Sequence, residues 1–346
     1  MPEILAQRDP RQLRRDIRGI ILCLVGFYVA MVVVMIIVMV IAAMIGMLRD
    51  PEMLALISST LANSSSPGYP NQYFDSQADY FTRAVTEYAT LGQAIGMICA
   101  LPLFLLIRKK QFFSSDIIKV NHKAKLGPLL MLLVLVFGVQ GIMLVLQMIL
   151  EPLVNAGGSS LTDSLDETMT NIALTPFGAL FIAGIGPVLE EMVFRGAIMR
   201  HLERYGANFA IVVSAMLFGI YHLVLFQSIF AFLLGLLLAY TAGRFSLKWA
   251  VLLHALNNSI AVILIYADNM AVNIAVSMFF LVAMIAAIII VVVKRQLLKA
   301  QRLAGAPSEM RVFARSFASP WMISFIVLAG LIMFMPFVGA LLPTGF

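Results

Sequence analysis

The sequence predicts an all-α fold, a polytopic transmembrane helical bundle of about eight or nine spans with its candidate site inside the membrane. Three observations carry that prediction. The 346 residues are 61% hydrophobic and only 12% charged, about half the charged fraction of a soluble domain, and the mean hydropathy is +0.96. The apolar residues gather into runs long enough to cross ~30 Å of hydrocarbon as helices. The charges gather between those runs, with one exception, a small cluster of acids and bases inside them.

Nine apolar segments follow one another: about 19–47, 91–107, 127–150, 174–200, 207–223, 226–243, 249–267, 271–293 and 320–343. The first is too long for a signal-peptide core and has no small-residue cleavage pattern behind it, so it is expected to be a retained span. The gap after Leu223 is short, which makes the boundary there soft. Between the first two runs lies the only sizeable soluble piece, 48–90. It is rich in Ser, Asn, Pro and Gly near 63–72, and Tyr and Phe recur from Tyr69 to Tyr88. It is expected to be an interfacial loop with aromatic anchors, a lid being the alternative. Asn63-Ser64-Ser65 matches a glycosylation acceptor, a motif common by chance. The loop 151–173 carries acids and no base, as a solvated loop would. Cys23 and Cys99 both sit in apolar runs and are expected to be small buried hydrophobes, with no disulfide framework.

Lys and Arg set the orientation. All of the 24 except Arg49 and Arg83 fall in the N-terminal tail, in 108–125, at Arg195–Arg204, at Arg244 and Lys248, and in 294–315. These are alternate connections of the nine-span order. The N-terminus is therefore expected in the cytoplasm. The net charge of +6 is accounted for by this asymmetry and by attraction to anionic lipid, with no nucleic acid. The organisation expected is a tail, two spans and an outer loop over 1–126, a membrane core over 127–293, and a basic cytoplasmic loop with a last span over 294–346.

The intramembrane cluster is the functional hypothesis, because a charge in hydrocarbon costs at least a few kcal/mol. It consists of Glu190-Glu191 with Arg195, then His222, then His254 with Asn258. Tyr205-Gly206-Ala207-Asn208 is a turn signal. Glu190 lies sixteen residues before Gly206 and His222 sixteen after it, so an antiparallel hairpin brings both to one depth, roughly 20–24 Å from the turn. His254 and Asn258 are four apart and share a helix face, at a shallower estimated depth. Glu191 and Arg195 are also i,i+4 with the acid first, the better order for an ion pair. Arg195 would hold Glu191 as a structural anion, and Glu190, about 100° round the helix, would be free to act as a base. A buried carboxylate as base, an imidazole to share a proton, and a second His with an Asn amide facing an oxyanion together match water attack on a carbonyl. That chemistry is peptide hydrolysis in the membrane.

These residues, in this order, resemble the CAAX-protease and bacteriocin-processing family of intramembrane proteases, often called the Abi family. Its EExxxR motif is matched by Glu190-Glu191-Met192-Val193-Phe194-Arg195, its FxxxH by Phe218-Gly219-Ile220-Tyr221-His222, and its HxxxN by His254-Ala255-Leu256-Asn257-Asn258. The resemblance covers about 174–267 and rests on all three motifs, each on an apolar run. It implies an all-helical fold with an intramembrane cavity. It also implies an endopeptidase that cuts near the C-terminus of a membrane-anchored peptide or protein, prenylated or not. By the same resemblance Glu190 and His222 activate water, His254 and Asn258 stabilise the oxyanion, and Glu191 and Arg195 shape the site. The family was formerly classed as metalloprotease, and its architecture looks metal-free and glutamate-dependent. No cofactor is expected. Zinc is the runner-up, since two His and a Glu could bind it, although HExxH is absent.

The extra spans and the 48–90 loop depart from a minimal family member and leave CAAX specificity open. The expected location is a bacterial or archaeal plasma membrane, with membrane lipid and the anchored substrate as partners. A proton-coupled transporter and an inactive scaffold or immunity protein are the rival functions. Asn257 is expected to be an interhelical hydrogen bonder, Phe218 and Phe226 to pack beside His222, and His201 and His122 to be solvated interfacial residues.

Overall fold

The computed structural model describes residues 10–49, 88–108, 123–155, 160, 169–267, 269–294 and 307–341. The expectations for the 48–90 loop, for Asn63 and for His122 fall wholly or largely outside these. Among the described residues there is no β-strand, and the chain is a bundle of helices. In order they are α1 (Pro10–Arg49), α2 (Tyr88–Arg108), α3 (Leu126–Asn155), α4 (Pro176–Tyr205), α5 (Ala207–Tyr221), α6 (Leu225–Arg244), α7 (Leu247–Ala267), α8 (Met270–Val293), α9 (Pro307–Phe317) and α10 (Pro320–Leu341). Seven of the described helices are long and apolar enough to cross a membrane, or eight if the pair α9–α10, bent by 65°, counts as one.

The expected nine-run order is present as helices, with one difference. The run 207–223 forms only the fifteen-residue α5, about 22 Å long, so it is shorter than a bilayer is thick. Its two ends explain why. Gly206, at φ 131°, breaks away from α4, in a conformation that costs glycine little. At the other end His222 closes α5, Leu223 takes φ 56°, and Val224 is extended before α6 begins. α5 and α6 are thus the two arms of a tight hairpin. Gly219 permits it, since a Cβ there would lie 2.7 Å from the Ser228 carbonyl oxygen.

Close approach of backbones, rather than water exclusion, holds helices together in lipid. Gly92 and Gly96 of α2 sit on the backbone of Met35 and Met31 in α1, and Gly138 and Gly141 of α3 on Ala283, Ala287 and Phe280 of α8. The core runs along α4, α5 and α6, where Val193, Phe194, Phe209, Val213 and Leu238 have no exposed surface. Large apolar residues remain exposed along α1, α8 and α10, on the faces that lipid would cover.

α4 is not a regular α-helix. Thr175 caps its start, accepting from the Gly178 N–H at 3.0 Å, with Pro176 in the first turn. Two stretches of wider π-type winding, Phe181–Ile185 and Met192–Met199, bracket the α-helical Gly186–Glu191. Such bulges often mark functional sites. Here they bracket the two acids.

At the end of α4 the expectation for His201 is corrected. It is buried, not solvated. Arg204 bonds to its ring and to Asp16 of α1, and Tyr205 donates to the same Asp16. The turn before Gly206 folds these groups back onto α1, and burial requires that they be paired. Cys23 is buried and donates to the Leu103 carbonyl, whereas Cys99 faces outward from α2, contrary to expectation; neither is bridged.

Candidate functional site inside the bundle

Glu191 and Arg195 form the expected i,i+4 pair, 2.7 Å apart, with both side chains wholly buried. A buried charge needs more than one partner, and this pair has several. The Arg195 guanidinium donates to the Gly235 carbonyl of α6 at 3.2 Å and lies 4.3 Å from the centre of the Phe218 ring of α5. Gly235 lacks the side chain that would block the approach; a Cβ there would stand 3.1 Å from Arg195 Nη2. The pair therefore ties α4 to both arms of the hairpin.

His254 of α7 completes the arrangement. Its Nδ1 lies 3.0 Å from Glu191 Oε1 and its Nε2 3.7 Å from Glu190 Oε2. The imidazole stands between two adjacent acids and is itself buried. The depth difference expected for His254 is absent, because α7 crosses α4 at the level of the acids. Glu190 differs from Glu191 in a way that matters chemically, since 18% of its side chain is exposed while Glu191 has none. One acid is locked into the packing, and its neighbour stays open to a small molecule.

His222 lies at the end of α5, where its Nδ1 sits 2.9 Å from the Phe218 carbonyl oxygen. That bond leaves Nε2 for another partner. The Phe218 ring is a common wall, 5.0 Å from the ring of His222 and 5.7 Å from that of His254, both edge-on. Glu190 is within electrostatic range of His222 and of Tyr221. The geometry brings Glu190, Glu191, Arg195 and His254 into direct contact and joins His222 to them through Phe218.

Asn258, one turn beyond His254, donates from Nδ2 to the Ile182 carbonyl of α4 at 3.1 Å. Asn257 is the interhelical bonder expected, accepting from Gln140 Nε2 of α3 at 3.0 Å and donating to Asn258 Oδ1 at 3.1 Å. Among the described residues no three His, Cys, Asp or Glu side chains are grouped as a metal site would group them. Sequence reasoning passed over Gln140, Tyr221 and the Ile182 carbonyl. Gln140 carried a signal, a side-chain amide in the middle of an apolar run. The carbonyl carried none, because backbone is invisible in a side-chain pattern.

Residues 172–260 match the family model described as "Rce1-like: Type II CAAX prenyl endopeptidase Rce1-like". The match bears out the resemblance seen in the three motifs, and it covers about a quarter of the chain, from the start of α4 into α7. At the level of that family, the segment is similar to CAAX-type endopeptidases of the membrane. No curated protein matches the chain, and no solved structure does.

Proposed function

We propose that this chain is an intramembrane endopeptidase of the CAAX-protease type, cutting near the C-terminus of a membrane-anchored substrate with a water activated by glutamate and histidine. The observation that carries this reading is the division between adjacent acids, Glu191 sealed against Arg195 and His254, Glu190 partly open beside His254 Nε2. Glu190 takes a proton from water as the water oxygen attacks the scissile carbonyl, and His222 shares that proton. The carbonyl becomes a tetrahedral oxyanion facing His254 and Asn258. Held between the two carboxylates as an imidazolium, His254 donates from Nδ1 to Glu191, which orients the ring, and presents Nε2–H to the oxyanion. Collapse of the intermediate breaks the C–N bond, and the proton held at Glu190 goes to the leaving amine. Glu191 and Arg195 hold the frame.

An anchored substrate has a place to lie. A groove of about 140 Å³ opens beside the hairpin turn, lined by Leu24, Tyr28, Tyr221, Leu223, Phe325 and Ile332 among others, nearly all apolar. A prenyl chain or a lipid tail would fit that chemistry. The N-terminus on the cytoplasmic side, a bacterial or archaeal plasma membrane and metal-free catalysis belong to the same proposal. Zinc is the alternative to that metal-free reading, because Glu190 and the Nε2 atoms of His254 and His222 are the donors left open, and a chelator separates the two.

The test is cleavage of a farnesylated CAAX peptide by the purified protein, wild type against Glu190→Gln, read by mass spectrometry with and without phenanthroline. Wild type alone should release a C-terminal tripeptide, and the chelator should change nothing. Loss of activity in phenanthroline, restored by zinc, would overturn the metal-free mechanism. Cleavage by neither protein would remove prenylated peptides as substrates and favour a catalytically silent scaffold.

A further inference from the structure

Gln140 lies on α3, outside the segment that matches the family. A side-chain amide within a membrane helix costs free energy unless it is hydrogen-bonded, and Gln140 begins a chain of such bonds. Its Nε2 donates to Asn257 Oδ1 at 3.0 Å, Asn257 Nδ2 to Asn258 Oδ1 at 3.1 Å, and Asn258 Nδ2 to the Ile182 carbonyl at 3.1 Å. Three amides run head to tail from α3, across α7, to α4.

The direction of the chain is dictated by its last member. A carbonyl oxygen can only accept. In the π-wound stretch Phe181–Ile185 the Gly186 N–H is used by the Phe181 carbonyl. The next donor along, five residues from Ile182, would be residue 187, which is Pro187 and has no N–H. The Ile182 oxygen thus lacks its backbone donor, and Asn258 must turn its nitrogen toward it. That turns Asn258 Oδ1 toward Asn257, which must then present its own nitrogen, which turns Asn257 Oδ1 toward Gln140. A flip of any one amide sets oxygen against oxygen. Aligned bonds of this kind also polarise one another, strengthening each by roughly 10–30%. The Asn258 amide has two N–H groups. One serves Ile182.

We propose that Gln140 is a positioning residue for the reaction: through Asn257 it fixes and polarises the Asn258 amide, whose second N–H faces the oxyanion. This rests on the role given to Asn258 under Proposed function. Gln140 itself touches no reacting atom.

The test uses the purified full-length protein and the farnesylated peptide. Gln140→Glu keeps shape and length but replaces the donor with an acceptor. Loss of one oxyanion-site donor costs 10²–10³ in turnover, so misaligning one should lower kcat by about tenfold, with KM unchanged within about twofold. The deficit relative to wild type should shrink as pH falls, because a protonated carboxyl regains an O–H donor. Gln140→Met, with no donor at any pH, should keep its deficit throughout. A deficit carried by KM, a pH-independent one in Gln140→Glu, or no deficit overturns the proposal. A second measurement needs no substrate, a double-mutant cycle in thermal unfolding between Gln140→Met and Asn258→Leu. The two residues are linked only by way of Asn257 in this chain, so non-additivity is expected, and additivity overturns the proposal whether or not the protein cleaves. Should wild type cleave nothing while the coupling persists, the peptidase reading falls and the orientation of the amides stands.

Discussion

At Glu191 a carboxylate with no exposed surface accepts from Arg195 and His254 at once. Its neighbour Glu190 has only the longer contact to His254 and remains partly exposed. Removing one partner of a buried pair leaves a bare charge and costs about 3–5 kcal/mol, whereas Glu190→Gln removes no such partner. Glu191→Ala and Arg195→Ala should therefore lower the thermal midpoint of the detergent-solubilised protein well below that of Glu190→Gln; equal midpoints would defeat the assignment. Much of this was legible in the sequence. The i,i+4 spacing announced the Glu191–Arg195 pair, and the position 100° round the helix set Glu190 apart. The contact of His254 with both acids was not legible, because it depends on how α7 crosses α4, and no spacing within one helix encodes a crossing.

Among the elements, α4 and the α5–α6 hairpin do the positioning. The sixteen-residue symmetry about Gly206 predicted an antiparallel pair, and the structure has one. The same symmetry could not show that Phe218 would stand between His222 and His254, nor that Pro187 would leave a carbonyl for Asn258. The hairpin turn carries a local cost. Leu223 sits at φ 56°, a region where a bulky residue is strained by about 1–2 kcal/mol. It follows directly on His222, whose backbone it helps to aim. Leu223→Gly should relieve that strain and raise the stability by about 1 kcal/mol. It should also reduce peptide turnover, because the turn that holds His222 is then free to move. A less stable variant would mean that Leu223 is held by packing in the groove rather than tolerated against strain.

Across the whole molecule, composition fixed the class and the run order fixed the succession of helices. Among the described residues seven helices, or eight with α9–α10 taken as one, are long and apolar enough to span; the short α5 and the bend between α9 and α10 are outcomes of turns rather than of hydropathy. The basic end of the bundle is also more structured than its charge suggested. Asp16, His201, Arg204 and Tyr205 join α1 to the helix that bears the acids, while Tyr221 donates to Met31 of α1 at 3.4 Å further along. The helix expected to be a retained first span is fastened to the site-bearing helix near one end and to the hairpin near the other. One last consequence concerns how such a chain enters a bilayer at all. Glu191 and Arg195 neutralise each other within a single helix, four residues apart, so the partnership can form as α4 leaves the ribosome, long before His254 is made. Each unpaired charge at a helix centre opposes translocon insertion by roughly 2.5–3.5 kcal/mol. In a translocon assay the isolated segment 174–200 should insert less efficiently as Arg195→Ala than as wild type, even though that change removes a cation. Better insertion of the variant would show that the pair is assembled only after the bundle closes.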